Sequence, residues 1–199
     1  MTPMILSRGT VAHLCIDMQR LFAEPTGWHT PAIATIVPNV IRLAEAHAGR
    51  TIFARFTVPP TAEHVAGSWR RYYDHWNGIT AAVATDPGLI SLIEPLADLA
   101  QAEVTIDKPT YSLFQVPALL DQLKAWGTET IVLTGVETDV CVLATLFDAV
   151  DHGYHVVVAS DAVASSSPAG HEAVMQNVLP RLLQQVDVVD TKTILRQRQ

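Results

Sequence analysis

The sequence contains little cysteine. Only two cysteines, Cys15 and Cys141, occur in 199 residues, which excludes the disulfide frameworks of small secreted domains. In a reducing compartment a free cysteine is usually a small buried apolar residue. The other use of a cysteine, as a nucleophile, requires a position that favours the thiolate form.

Positive charge and long apolar runs are also scarce. The chain has 13 Lys and Arg residues against 20 Asp and Glu residues, a net charge of −7, so a nucleic-acid partner is not expected. No run of about 18 apolar residues occurs, so no membrane span and no membrane partner are expected. The first ten residues lack the basic and apolar segments of a signal peptide. The expected location is therefore the cytoplasm.

Apolar residues are abundant, at 49% of the chain, while charged residues make up only 17%. A chain of this length can bury a sizeable core as one domain, which we expect to span residues 1–199. The low charged fraction is typical of a well-buried sheet, and it also agrees with a subunit interface.

Short apolar runs alternate with segments of helical period, which predicts a parallel sheet with helices on both faces. The predicted strands are residues 11–16, 51–56, 102–106, 130–136, 155–160 and 186–190. The predicted helices are residues 34–48, 116–126, 139–152 and 168–183. Residues 58–87 fall outside this pattern and are expected to form an irregular insertion that shapes the pocket. The polar tail, residues 192–199, is expected to be peripheral or frayed.

Three chemically useful side chains follow predicted strands. Asp17 follows the first strand, Lys108 lies just beyond the third, and Cys141 comes shortly after the fourth, near the start of a helix. Ligands of open parallel sheets bind beyond the carboxyl ends of the strands. Each residue alone has a simpler explanation, as a turn residue, a solvated lysine or a buried thiol. Their shared location favours a functional interpretation.

Together these three groups could break a bond to a carbonyl carbon. A nearby ammonium and a helix N-terminus lower the pKa of a thiol, and a carboxylate can accept its proton. Cys141 would then attack the carbonyl carbon, and backbone N–H groups between Glu137 and Cys141 would stabilise the oxyanion. Asp17 would protonate the leaving nitrogen and later deprotonate water. Lys108 would stabilise the thiolate and hold the aspartate in place.

The three motifs that carry these residues are CIDMQ at residues 15–19, DKPTYSLF at residues 107–114 and GVETDVCVLAT at residues 135–145. Together they resemble the isochorismatase-like cysteine hydrolases, a family that includes nicotinamidases and N-carbamoylsarcosine amidohydrolase. The resemblance extends from about residue 11 to residue 190. It implies a three-layer α/β/α sandwich with a six-stranded, mostly parallel, Rossmann-like sheet.

The resemblance also implies a catalytic triad of Asp17, Lys108 and Cys141. In this family a cis peptide usually precedes the cysteine, and here it would join Val136 to Glu137. The cis bond would turn the backbone N–H groups of Glu137 and Cys141 towards the oxyanion. A homodimer or homotetramer is expected, since oligomers are common in the family.

No metal and no other cofactor are expected. Nicotinamidases of this family carry a metal site built on an Asp-x-His motif after the second strand, together with a further histidine. The corresponding segment here, ARFTVPP at residues 54–60, lacks that motif. His152 and His155 lie at a helix end, where a solvated or structural role is expected.

The expected partner is a small-molecule substrate with an amide, carbamoyl or ureide C–N bond. Aromatic residues of the insertion could form a wall around a small planar molecule, although core packing or a subunit interface would explain them as well. Arg55, Arg70 and Arg71 are candidates for binding a substrate carboxylate. The predicted substrate-binding residues are Gln19, Phe22, Arg55, Trp69, Tyr72, Trp76, Tyr111, Phe114 and Thr138.

Two other functions remain open from the sequence. The first is hydrolysis of a vinyl ether, as in isochorismatase itself, with Asp17 as the acid and no need for the cysteine. The second is a binding domain without catalytic activity. The retained cysteine favours acyl transfer from nitrogen.

Overall fold

The computed structural model describes residues 11–197, which contain a six-stranded parallel sheet in the order β3-β2-β1-β4-β5-β6. Helices cover both sides of the sheet, so the predicted three-layer sandwich is confirmed. None of the helices in this range is long and apolar enough to cross a membrane. The strands are β1 Val11–Ile16, β2 Thr51–Phe56, β3 Val104–Lys108, β4 Thr130–Val136, β5 His155–Ala164 and β6 Val186–Val189.

The helices are interleaved with these strands as the alternating pattern predicts. The α2 helix packs against β1, β4 and β5, while α7 packs against β5. The helices are α1 Arg20–Ala23, α2 Ile33–Ala46, α3 Gly67–His75, α4 Asn77–Thr85, α5 Leu96–Ala100, α6 Pro117–Ala125, α7 Leu143–Asp151, α8 Pro168–Ala173 and α9 Thr191–Arg196.

The core lies around the two central strands. Every residue of β1 and β4 is buried, because both faces of these strands are covered, as continuous apolar runs predict. The chain adds β2 and β3 on one side of β1, then crosses to β4 and continues outwards through β5 and β6. This reversal places a crevice at the carboxyl ends of β1 and β4. Asp17 follows β1 directly, and Cys141 follows β4 by five residues.

Close contact between β1 and β4 depends on Gly135. Its φ of 109° lies in a region that side-chain-bearing residues avoid, and a side chain there would clash with the carbonyl oxygen of Ile16. A glycine is therefore required at this position. It lets the end of β4 approach the end of β1, which brings the segment before Cys141 towards Asp17.

Two predicted strands have different bounds in the structure. The third strand begins at Val104 and includes Lys108 as its last residue. The fifth continues to Ala164 rather than ending at Ser160. A register shift after Leu133 lets β5 resume pairing with β4 at Val163, so the polar residues in the middle of β5 do not end the strand.

The prediction that residues 58–87 are irregular is wrong, because α3 and α4 occupy most of this segment. The aromatic residues Trp69, Tyr72, Tyr73 and Trp76 are spaced at i, i+3, i+4 and i+7, which places them on one face of a helix. Tyr73 is buried and the other three are partly buried against the core. The helical period was present in the sequence but was obscured by neighbouring glycines and prolines.

The C-terminal elements also differ from the predictions. The helix predicted for residues 168–183 is α8 followed by a π-helical turn, Val174–Val178, and a 3-10 turn, Leu179–Arg181. Pro180 cannot donate the hydrogen bond that would continue an α-helix. The tail is not frayed over residues 192–196, which belong to α9, where Thr191 and Ile194 are buried. Residues 198–199 of the predicted tail lie outside the described residues.

Candidate active site

A buried ion pair lies at the carboxyl edge of the sheet. Lys108 Nζ donates a hydrogen bond of 2.8 Å to Asp17 Oδ2, and both side chains are fully buried. Nζ also donates to the carbonyl oxygen of Thr110 at 3.1 Å and lies 4.6 Å from the centroid of the Phe56 ring. Removal of either charge would leave the other without its partner in a dry environment, which is costly.

The strands explain how two distant residues meet. Lys108 ends β3, which is separated from β1 by β2, and its Cα is aligned with that of Phe56 at the end of β2. The long lysine side chain therefore reaches across the Phe56 ring to Asp17. Asp17 has a φ of 53°, and its N–H donates to the carbonyl oxygen of Ala54. Aspartate tolerates this left-handed conformation better than most residues.

Cys141 lies beside this pair. It belongs to a π-helical turn, Thr138–Val142, that leads into α7, and it is 6% exposed. After burial, the charges nearest the thiol that affect its pKa are those of Asp17, which raises it, and Lys108, which lowers it. The buried Asp17 Oδ1 has no hydrogen-bond partner of good geometry within residues 11–197. The arrangement thus leaves a carboxylate oxygen able to accept a proton next to a thiol.

The expectation of a lowered thiol pKa is wrong for the free protein. Burial raises the pKa of Cys141 well above its ordinary value, the Asp17 charge raises it further, and Lys108 only partly opposes them. Burial also raises the pKa of Asp17, against the effect of Lys108. Burial by itself would lower the pKa of Lys108, but Asp17 and Cys141 outweigh it and the pKa rises. The resting site therefore holds a neutral thiol beside an ion pair.

A neutral resting thiol predicts a specific alkylation profile. The rate of iodoacetamide reaction at Cys141 should rise about tenfold per pH unit from pH 6 to pH 9, because only the thiolate reacts. Peptide mass spectrometry should find Cys15 unmodified, since it is fully buried and burial raises its pKa to about 12. A rate that is already constant above pH 7 would show a thiolate in the resting protein.

The turn before Cys141 has the backbone geometry implied by the resemblance. The peptide bond between Val136 and Glu137 is cis. The carbonyl oxygen of Glu137 accepts hydrogen bonds from the N–H groups of Val140 and Val142, both at 3.1 Å. The use of the Glu137 and Cys141 N–H groups as oxyanion donors stays a prediction.

A cavity of about 140 Å³ opens onto Cys141. Four of the predicted substrate-binding residues lie in its wall, although their contact with a substrate stays a prediction. These four are Phe22, Tyr72, Trp76 and Tyr111. A small, mostly aromatic cavity of this kind suits a small substrate.

Gln19 and Arg55 are placed elsewhere. The Gln19 side chain is fully buried and donates to the carbonyl oxygens of Phe56 and Ile90, at 3.0 and 2.8 Å, while it accepts from the N–H of Phe56 at 2.7 Å. Arg55 forms a two-pronged ion pair with Asp107 on the adjacent strand, at 2.7 and 2.9 Å. Both residues are therefore structural, and neither belongs to the cavity wall.

Three further predicted residues also lie outside the wall. Trp69 packs against aromatic rings of α3 and against Tyr111, and the ring centroids of Trp69 and Tyr111 are 4.9 Å apart. Phe114 stacks on His152 at 5.1 Å. The buried hydroxyl of Thr138 lies 2.9 Å from His171 Nδ1. Proximity to a motif in sequence did not place these side chains in the cavity, because they face the core or a neighbouring element.

The sequence predictions missed several residues of the cavity wall. The most central is Trp28, whose ring lies within about 6 Å of the rings of Phe22, Phe56, Tyr72 and Trp76. No motif marks Trp28 as functional. The other missed residues are Gly27, Phe56, Val140 and Ser166, and Glu137, for which only the backbone was predicted to act, also lines the wall.

The segment between β5 and α8 supports the turn that carries Cys141. Ser166 N donates to Glu137 Oε1 at 2.9 Å, and Ser165 Oγ donates to Asp139 Oδ1 at 2.6 Å. Ser167 Oγ accepts a hydrogen bond from the N–H of Gly170 and caps α8. Two loops that are distant in sequence are thus fixed against each other at the site.

Across residues 11–197, no group of three or more His, Cys, Asp or Glu side chains is placed to hold a metal ion. His152 and His155, for which a solvated or structural role was predicted, make side-chain contacts with other residues. His152 stacks on Phe114, and His155 Nε2 lies 3.0 Å from Asp187 Oδ2.

The family model of the isochorismatase domain matches residues 11–192. One relative is a maleamate amidohydrolase of Pseudomonas putida, 30% identical over 156 residues, which covers 74% of this chain and 71% of the relative. Another is the ureidoacrylate amidohydrolase RutB of Methylorubrum extorquens, 36% identical over 199 residues, with 88% and 79% covered.

A solved structure shows the same fold. It is a cysteine hydrolase from Pseudomonas syringae pv. phaseolicola that superposes with a TM-score of 0.83 at 26% identity, covering 98% of this chain and 94% of that one. The nicotinamidase PncA of Bacillus subtilis, at 23% identity and a TM-score of 0.67, shares the fold over 91% of this chain and 99% of its own.

Proposed function

This chain belongs to the isochorismatase family, and from that premise we propose that it hydrolyses a C–N bond of a small amide, carbamoyl or ureide through a thioester on Cys141. The observation that carries the proposal is the position of the Cys141 thiol, in the cavity wall and beside the buried Asp17–Lys108 pair. The relatives named as amidohydrolases support the same type of reaction.

In the first half of the reaction Cys141 loses its proton as it attacks. The resting thiol is neutral, so the transfer of its proton to Asp17 accompanies formation of the S–C bond. The carbonyl π electrons move to oxygen, and nearby backbone N–H groups stabilise the oxyanion. Asp17 then gives the proton to the nitrogen as the C–N bond breaks. The products of this half are an amine or ammonia and a thioester on Cys141.

In the second half water replaces the amine. Asp17 accepts a proton from a water molecule while the water oxygen attacks the thioester carbon, and the C–S bond breaks as the tetrahedral intermediate collapses. The sulfur recovers a proton from Asp17, and the acid leaves. Lys108 holds Asp17 in place through the 2.8 Å hydrogen bond that its Nζ donates to Asp17 Oδ2.

Two measurements test this proposal together. Wild-type protein is incubated with a panel of small primary amides, ureides and carbamoyl acids, and the released ammonia is measured. With any amide that is turned over, rapid acid quenching should leave an acyl group on the peptide that contains Cys141, seen by mass spectrometry. Turnover without an acyl group on Cys141 under any quench condition would contradict the thioester.

A further inference from the structure

The charge of the cavity is set by a single side chain in its wall. Among the described residues that line the cavity, Glu137 is the one acidic residue, and no lysine, arginine or histidine is present. The other side chains of the wall are mainly aromatic. A substrate in this cavity therefore meets a carboxylate and no cation at the surface.

The Glu137 carboxylate is held in place but not neutralised. Its Oε1 accepts a hydrogen bond from Thr30 Oγ at 3.1 Å and from Ser166 N at 2.9 Å. No lysine, arginine or histidine of residues 11–197 forms an ion pair with Glu137. Burial chiefly raises the pKa of Tyr72, and the nearby Glu137 charge adds to the rise. Among the described residues, the carboxylate thus has hydrogen-bond donors but no basic side chain as an ion-pair partner.

Among residues 11–197, no arginine lies in the cavity wall to bind a substrate carboxylate. Arg55 is paired with Asp107, while Arg70 and Arg71 are exposed on α3, and none of the three lines the cavity. Lys108 is buried and already paired with Asp17. With a neutral Cys141, two carboxylates and one ammonium leave the site with one net negative charge. A second carboxylate from a substrate would be repelled in a partly dry cavity.

The aromatic residues favour the opposite charge. Trp28 and Trp76 approach each other edge to face at 6.1 Å, and Tyr72 lies 5.9 Å from Trp28, measured between ring centroids. The faces of tryptophan and tyrosine rings attract cations, and aromatic pockets that bind quaternary ammonium groups use the same property. Glu137 lies in the wall of the same cavity.

We propose that this cavity selects amides whose acyl part carries a positive charge, an ammonium or quaternary ammonium group, and rejects acyl parts that end in a carboxylate. This substrate class rests on the proposed amide hydrolysis. The relatives maleamate amidohydrolase and ureidoacrylate amidohydrolase are named after carboxylic acids, so the proposed substrates differ from those acids in the sign of their charge. Glu137 and the aromatic wall are the specificity determinants.

The test separates charge from shape. Betaine amide and 3,3-dimethylbutanamide have the same shape, because one has a quaternary nitrogen where the other has a carbon. Succinamate supplies a carboxylate. Dissociation constants are measured by ligand-observed NMR in the Cys141→Ala background, so that binding is read without turnover. We expect betaine amide to bind at least about tenfold more tightly than its neutral isostere, a difference of about 1.4 kcal/mol, and succinamate to bind most weakly.

A second substitution assigns the preference to Glu137. In the Cys141→Ala background, Glu137→Gln should reduce the tenfold preference for betaine amide over its neutral isostere to about twofold or less. The control is Glu45→Gln, at an exposed position of α2, which should leave the preference unchanged. Equal binding of the two isosteres, tighter binding of succinamate, or a preference that survives Glu137→Gln would overturn the proposal. Failure of the proposed hydrolysis would look different, since wild-type protein would release no ammonia from any amide although the binding order held.

Discussion

Replacement of Cys141 by alanine is expected to lower kcat/KM for amide hydrolysis by about 10⁴-fold or more, because removal of a nucleophile commonly has an effect of this size. The side chain is small and lies at the edge of the cavity, so the fold should be retained. Ammonia release is measured under saturating and limiting substrate, and circular dichroism checks the fold.

The matched control is Cys15→Ala. Cys15 is buried in β1 and lies outside the cavity wall, so this variant should keep activity within a few fold while it loses some stability. The Cys141→Ala and Asp17→Asn variants together separate two reaction types. If Cys141→Ala kept turnover of isochorismate and Asp17→Asn abolished it, the protein would be a vinyl-ether hydrolase with Asp17 as the acid. Burial raises the pKa of Asp17, which favours this role.

The second large effect is expected at the buried ion pair. Lys108→Met should abolish measurable hydrolysis and lower the free energy of unfolding by about 3–5 kcal/mol, because it leaves the Asp17 carboxylate buried without a partner. The aliphatic part of the lysine is retained in methionine, so the packing against Phe56 changes little. Urea denaturation and the ammonia assay give the two readouts.

The double variant Asp17→Asn/Lys108→Met distinguishes charge from packing. Asparagine tolerates the positive φ of residue 17, and the double variant buries no unpaired charge. It should therefore recover most of the stability lost in Lys108→Met and still hydrolyse no amide. A Lys108→Met variant as stable as the wild type would show that the Asp17–Lys108 pair is hydrated. Hydrolysis by the double variant would show that the pair takes no part in the reaction.

The raised pKa of Cys141 changes how the proposed triad would work. Motif and helix position favoured a thiolate in the resting protein, but the described structure buries the sulfur next to the Asp17 carboxylate, and both effects favour the neutral thiol. Activation must then be coupled to substrate attack rather than complete beforehand. This is an electrostatic consequence of burial, which no local sequence pattern expresses.

The alternating pattern and the motifs were enough to predict the parallel sheet and the three positions that are proposed to carry the chemistry. Alternation of buried strands and helices predicts the parallel sheet, and the rule that ligands bind beyond its carboxyl ends selects Asp17, Lys108 and Cys141. The structure then placed Lys108 against Asp17 at 2.8 Å. These conclusions depend on local periodicity and on the order of elements, both of which can be read along the chain.

The wall of the cavity follows from long-range packing and is not marked by any local pattern in the sequence. Trp28, Phe56, Glu137 and Ser166 come from four segments that meet through contacts between residues far apart in sequence. Conversely, Gln19 lies in a motif but is used to hold the backbone of Phe56. Which side chains face the cavity depends on strand register and on the packing of neighbouring elements. The charge environment of those side chains depends on burial. Substrate specificity therefore could not be read from the motifs.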